Sequence, residues 1–212
     1  MAETERRMRI GVLISGSGTN LQAIIDAAAD GRLDADVAVV VANHEEAFGL
    51  ERARKAGIPA VWVDRTAYST FAAYNEAIRD ALLGHEVDLV AMAGYMRLLG
   101  TEVLDAFPDK VVNIHPALLP AFAGPSGIRD AFEYGVKVTG VTVHFANEHF
   151  DEGPIIAQEA VEVLDDDTPA SLEARIHEVE HRLYPHALQL FAEGRVTLDG
   201  RIVRIVPMRM DA

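Results

Sequence analysis

Val111-Val112-Asn113-Ile114-His115-Pro116 sets an amide and an imidazole two positions apart in an otherwise apolar run. In an extended chain such side chains share one face, so Asn113 and His115 point into one place. There they can offer directed hydrogen bonds and a transferable proton to a reacting group. A buried, mutually satisfied polar pair is the alternative explanation. A Pro- and Gly-rich stretch from Pro116 to Gly127 follows directly, and a loop of that length at the end of a strand favours the reactive reading.

A second constellation is Ser15-Gly16-Ser17-Gly18-Thr19-Asn20. Gly16 and Gly18 permit a tight turn, and Thr19 and Asn20 then stand at the positive end of a following helix, which suits a phosphate monoester. A dinucleotide fingerprint needs a third glycine where Leu21 stands; Glu45 or Glu46 could still hold a ribose, so a nucleotide cofactor is the minor alternative. His144 to Pro154 adds several polar groups in a turn, without a diagnostic metal-ligand spacing. His177-Glu178-Val179-Glu180-His181 satisfies the zinc-protease pattern H-E-x-x-H literally, but no third ligand follows at a recognised spacing, and an amphipathic helix with two histidines explains it equally well. No G-x-S-x-G elbow is present, and with no cysteine, thiolate nucleophiles, thiolate metal sites and disulfides are excluded.

These groups need a scaffold, and the hydrophobic pattern predicts one. Met8–Ile14, Asp36–Ala42 and Val87–Ala93 are near-continuous apolar runs of the kind found in central parallel strands, with Ala60–Val63 a shorter one. Helical spacing occupies the intervals after the glycine loop, near 48–56 and over 69–83. Strands are predicted at Val111–Ile114, Val138–Ala146 and Ile155–Val163, helices at Arg129–Tyr134 and Pro169–Phe191, and a hairpin through Asp199-Gly200. The expected fold is α/β, a Rossmann-like doubly wound, mostly parallel sheet with antiparallel C-terminal strands, in which sites gather at the carboxyl ends of the strands.

The 212 residues fit a single domain, and no apolar run approaches the ~20 residues that cross a bilayer. Met1 to Arg7 lacks an apolar leader, so a cytoplasmic protein is expected, without membrane partners. A formal charge of −14 opposes nucleic-acid binding, so any phosphate must be held by local donors.

Five segments together, ISGSGTNLQAIIDA (14–27), AFGLERARKAGIP (47–59), AGYMRLLG (93–100), NIHPALLPAF (113–122) and DEGPIIAQ (151–158), resemble the phosphoribosylglycinamide formyltransferases over nearly the whole chain. The Asn-x-His-Pro-x-Leu-Leu-Pro and Asp-x-Gly-Pro motifs are specific to the folate-dependent formyltransferases, and the Ser-Gly-Ser-Gly-Thr-Asn loop narrows the resemblance to the purine-pathway members. The resemblance implies formyl transfer from 10-formyltetrahydrofolate to the amine of glycinamide ribonucleotide, without a metal. It implies Asn113, His115 and Asp151 as the catalytic trio and Gly18, Thr19 and Asn20 as the phosphate cradle. Glu180 would contact the ribose or amine side of the acceptor, while Met96, Arg97, Leu98 and Leu99 would line the folate pocket beside Asn113. An N-terminal half over about 8–110 would hold the phosphate and a C-terminal half over 111–212 the folate and the chemistry. A homodimer is a family-level expectation.

The chain departs from that pattern at Phe71, where some relatives carry a folate-contacting arginine, and at Ala123-Gly124-Pro125-Ser126, which replaces Pro-Gly-x-His. Phe150 stands where an aliphatic residue is common. Three other functions compete. Methionyl-tRNA formyltransferase would need a further tRNA-binding domain, which the sequence after the hairpin is too short to hold. Formyltetrahydrofolate deformylase would normally carry an extra N-terminal domain, which the few residues before the first strand cannot supply. A nucleotide-binding module without catalysis leaves Asn113, His115 and Asp151 unexplained.

Overall fold

The computed structural model describes residues 6–208; Met1 to Glu5, part of the segment read for a leader, lie outside them. Seven strands form one sheet: β1 (Met8–Ile14), β2 (Ala35–Ala42), β3 (Ala60–Trp62), β4 (Leu89–Met92), β5 (Val111–His115), β6 (Val138–Phe145) and β7 (Ile155–Glu162). Their spatial order is β3-β2-β1-β4-β5-β6-β7. The first five run parallel, whereas β6 and β7 pair antiparallel to their neighbours. This is the predicted α/β architecture. β8 (Val196–Asp199) and β9 (Ile202–Ile205) make the expected hairpin, separate from the main sheet.

Among the described residues, six α-helices connect and cover the sheet: α1 (Thr19–Ala29), α2 (Phe48–Lys55), α3 (Phe71–Gly84), α4 (Thr101–Leu104), α5 (Gly127–Tyr134) and α6 (Pro169–Ala192). Along β1 the pleat sends Ile10, Val12 and Ile14 to one face, where they meet Leu21 and Ile24 of α1 and Ile176 and Leu188 of α6. Leu13 turns the other way, into the layer that holds Tyr74, Ile78 and Leu82 of α3. Burial on both faces explains why these strands read as unbroken apolar runs rather than alternating ones. Gly11 belongs to the α3 side, where an added Cβ would lie 2.4 Å from Leu82 Cδ2.

The long helix α6 begins sharply. Thr168 and Ser171 form a reciprocal capping box and Pro169 takes the first turn, where its missing N–H costs nothing. The sequence reading lacked two short pieces, α4 and a 3-10 turn at Arg65–Ala67, because three or four residues are too few to show a period. β5 runs one residue further than predicted, through His115, and α5 starts two residues earlier, at Gly127. No described helix is long and apolar enough to cross a membrane.

α6 is tied to the sheet by more than apolar contact. The hydroxyl of the fully buried Tyr184 donates toward the carbonyls of Met92, the last residue of β4, and Val112, the second of β5, each 3.0 Å away. Burial pushes this phenol well above its ordinary pKa, so it remains a donor. Tyr184→Phe is therefore expected to lower stability by about 1–3 kcal/mol, read as a lower urea midpoint at unchanged m-value. An unchanged midpoint would show that the two carbonyls are satisfied without it.

Candidate active site

The strand order reverses between β1 and β4, and such a reversal opens a crevice at the carboxyl ends of the strands. Here the two loops are joined directly. Ser15 N–H donates to the Gly94 carbonyl at 3.1 Å, and Met96 N–H donates to Ser15 Oγ at 2.8 Å. The glycine loop after β1 and the 94–99 loop after β4 are thereby held side by side.

Asp151 is the hub of the polar cluster. It follows β6 and lies at φ 57°, in the left-handed region that Asp tolerates better than most residues. Its turn is compressed from below by Gly153, where a Cβ would lie 1.6 Å from the Phe145 carbonyl oxygen, so no side chain fits. The Asp151 carboxylate, 7% exposed, has Oδ2 2.8 Å from the Gly124 N–H and 3.4 Å from His115 Nδ1. Its Oδ1 lies 3.4 Å from Asn113 Nδ2 and 3.5 Å from His144 Nε2. Burial pushes the Asp151 carboxyl upward, but the His144 and Gly124 hydrogen bonds and the nearby imidazoles outweigh it, so its pKa ends below the ordinary 3.8.

The predicted pair on β5 therefore does converge, and on the predicted aspartate. His115 is 4% exposed and its Nε2–H donates to the Phe122 carbonyl at 2.8 Å. Both of its ring nitrogens face oxygen, so the ring donates at both positions only when doubly protonated. Phe122 sits at φ 53°, an unfavourable conformation for a bulky residue, worth about 1–3 kcal/mol. The loop spanning Phe122 to Gly124 thus touches two members of the trio through its backbone alone.

His144, inside the predicted strand Val138–Ala146, was also grouped with the polar turn that follows; the structure assigns it to the strand. It belongs to β6, is 1% exposed and pairs in register with Asn113. Its Nδ1–H donates to the Phe145 carbonyl at 2.9 Å, and its Nε2, 3.2 Å from Asn113 Nδ2, accepts from that amide when the ring is neutral and donates to Asp151 when the ring is doubly protonated. The register between β6 and β7 shifts at Val143/His144, and a bulge of this kind re-aims a side chain. A lone imidazole inside the apolar run Val141-Thr142-Val143-His144-Phe145 carried the same signal as Asn113 on its own strand.

A cavity of about 290 Å³ opens onto this cluster. Asn113, His115, His144 and Asp151 line one end, and all four of the predicted folate-pocket residues, Met96, Arg97, Leu98 and Leu99, line the same space. Phe150 also lines it, whereas Phe71 is exposed at the start of α3 and is not among its walls. Within the 123–126 loop, Gly124 and Pro125 border the cavity, whereas the departures Ala123 and Ser126 are not among its walls.

At the glycine loop, Gly18 is the N-cap of α1, at φ 69°, and no side chain caps the helix. The first-turn N–H groups of Thr19 and Asn20 consequently have no acceptor within the helix. Asn20 is buried, and its Nδ2 donates to Glu180 Oε2 at 3.1 Å, so the structure brings Glu180 of α6 to the predicted cradle. Glu45 and Glu46 border a groove with Ser15, Gly16 and Ser17.

The H-E-x-x-H helix has a different geometry from a metal site. His177 Nδ1 bonds Glu180 Oε2 at 2.8 Å, the two histidine rings lie parallel at 6.0 Å, and Glu178 is exposed. The Glu180 hydrogen bond raises the His177 pKa against opposing desolvation, while burial lowers that of His181. Among the described residues, no group of three or more His, Cys, Asp or Glu is placed to hold a metal ion.

Comparison with known proteins identifies the family. The family model described as formyl transferase matches residues 8–188. The chain belongs to the formyl transferase family. It is 43% identical to the phosphoribosylglycinamide formyltransferase of Bacillus subtilis over 181 residues, covering 85% of this chain and 93% of that one. Among solved structures, glycinamide ribonucleotide transformylase 1 from Symbiobacterium toebii superposes with a TM-score of 0.95 at 52% identity, over 98% of both chains. Family members also occur inside longer proteins: this formyltransferase-family chain matches the trifunctional purine biosynthetic protein adenosine-3 of Chironomus tentans at 42% identity over 92% of its own length but spans only 14% of that protein.

The low pKa of Asp151 has a stability consequence. A carboxyl whose native pKa is depressed contributes stability that is fully present above its ordinary 3.8 and is lost as pH falls through the lower native value. Asp151→Asn is expected to be less stable than the unaltered protein at about pH 7, with the gap closing as pH falls below about 4. Urea titrations across that range measure it; a gap that stays constant with pH would show that the charge is not what the pocket stabilises.

Proposed function

We propose that this chain transfers the formyl group of 10-formyltetrahydrofolate to the amine of glycinamide ribonucleotide in purine biosynthesis. The observation that carries the reading is that one cavity holds both the Asn113, His115 and Asp151 cluster and the 96–99 loop, beside a glycine loop joined to it through Ser15. The apolar walls at Met92, Tyr95, Leu98 and Leu99 suit a flat aromatic ring, and the polar cluster at one end suits a reacting carbonyl. The phosphate of the acceptor would rest on Gly18, Thr19 and Asn20, with Glu180 on its ribose or amine side. On this reading the half before about residue 110 binds the phosphate, and the half after it carries out the chemistry.

Attack of the neutral amine on the formyl carbon forms a C–N bond and turns the carbonyl into an oxyanion. Asn113 and a protonated His115 stabilise that charge by hydrogen bonds at the buried polar end of the cavity. His115 does so by exchanging the Phe122 carbonyl for the oxyanion at Nε2, while Asp151 keeps hold of Nδ1. His144 Nε2, beside both Nδ2 of Asn113 and Oδ1 of Asp151, fixes the amide of Asn113 when the ring is neutral. As the intermediate collapses, the bond to the folate nitrogen breaks, the attacking amine gives up a proton and the leaving nitrogen gains one. Asp151, ionised throughout the neutral range, mediates that relay through His115 or water.

His115→Ala is expected to lower turnover by at least ~100- to 1000-fold while folate binding persists, measured by the absorbance change of the folate and by equilibrium titration. Turnover at the unaltered rate would remove His115 from the mechanism. Folate consumption without any acceptor would instead identify a hydrolase. A chelator is expected to leave the rate unchanged, and strong inhibition would restore a metal to the reaction.

A further inference from the structure

An arginine outside the glycine loop, on the neighbouring helix, is tied into it. Arg52 of α2 reaches across to the loop, where Nε donates to the Ser17 carbonyl at 2.8 Å. Its Nη1 donates to Gln22 Oε1 of α1 at 3.1 Å, and its guanidinium carbon lies 4.9 Å from the centre of the Phe48 ring. Gln22 is itself anchored, its Nε2 donating to Asp26 Oδ1 at 2.8 Å. One planar side chain therefore braces the loop, the first turns of α1 and the start of α2 together, which suits a guanidinium far better than an ammonium.

The backbone shows why this matters. The N–H of Gly49 donates to the Gly16 carbonyl at 3.1 Å, so two successive loop carbonyls, those of Gly16 and Ser17, are held against α2. In a planar trans peptide the C=O and the following N–H point in opposite directions. Fixing the Gly16 and Ser17 carbonyls toward α2 therefore turns the N–H groups of Ser17 and Gly18 away from it. The next carbonyl, of Gly18, is taken by Gln22 N–H at 3.0 Å inside α1. Three consecutive carbonyls are thus occupied, and the donors of the loop and of the first helical turn are left as a concave run, the kind of backbone arrangement that binds anions. Close packing reinforces it: a Cβ on Gly18 would lie 2.7 Å from Gly49 Cα and 3.5 Å from Arg52 Cδ.

We infer that Arg52 is a positioning residue for the acceptor's phosphate, holding the Ser17 carbonyl out of the anion's way and the Gly18 N–H toward it. The inference rests on the reading of the glycine loop as the phosphate site. Without Arg52 the Ser17–Gly18 peptide can rotate, and its carbonyl then presents negative charge where the phosphate binds. Arg52 acts through the loop and not on the reacting atoms, so its loss raises the acceptor KM and leaves the rate at saturation little changed.

The test compares the unaltered enzyme, Arg52→Met, which keeps the apolar stem over Phe48 without a donor, and Arg52→Lys, which keeps the charge without the fork. Each is assayed with glycinamide ribonucleotide and with the same acceptor lacking its phosphate. Arg52→Met is expected to raise the KM for the ribonucleotide about tenfold or more, with kcat within about twofold and the KM for folate and for the phosphate-free acceptor unchanged. Arg52→Lys is expected to recover only part of that loss and, if the Met variant does not fold, is compared directly with the unaltered enzyme. An unaltered ribonucleotide KM in Arg52→Met, an equal loss for both acceptors, or full recovery by Lys would each overturn the positioning role. If the unaltered enzyme itself does not prefer the phosphorylated acceptor, the phosphate reading of the loop fails before any variant is made, and the inference falls with it.

Discussion

A carboxylate almost out of reach of water must be compensated from every side, and in this protein Asp151 is the group that imposes that demand. Its partners come from three separate parts of the chain: Asn113 and His115 at the end of β5, His144 on β6, and the Gly124 backbone in the long loop. Each of these would be costly to bury alone. Together they satisfy one another, and the sheet supplies the register that makes the meeting possible, since Asn113 and His144 are direct antiparallel partners. The turn that delivers Asp151 depends in turn on a glycine at 153 and a left-handed backbone at Asp151 itself.

The same cluster links the Pro- and Gly-rich loop to the sheet. The Pro- and Gly-rich stretch after His115 contributes no charged side chain to the hub; it contributes a carbonyl at Phe122 and an N–H at Gly124. Substitutions such as Ala123 and Ser126 therefore leave these backbone contacts chemically intact. A loop that meets the site through its main chain can vary in side chains and still close the same two hydrogen bonds.

Much of this was legible in the residues. The long apolar strands and α6 carried periods long enough to read, and the i, i+2 spacing of Asn113 and His115 correctly placed both on one face. Glu180 was found only through resemblance, because its partner Asn20 lies 160 positions away, and no local pattern encodes a contact at that separation. His144 was missed because it stood close to a run of acidic and polar residues and was read with them, although its own strand is buried. The H-E-x-x-H match was uninformative for the opposite reason: a helical spacing specifies a shared face but not what faces it, and the facing group is the start of α1. Arg52 gave no signal at all, since a charged residue on an amphipathic helix is ordinarily solvated.

The bridge made by Ser15 between the loops after β1 and β4 has a simple geometric corollary. Adjacent strands in a sheet are held about 4.8 Å apart by their backbone ladder, a spacing that side-chain changes scarcely alter. Two pockets hung from neighbouring strands and clasped at their rims inherit that fixed interval. The sheet then serves as a ruler between the two loops, so either pocket can be reshaped without resetting the distance that separates them.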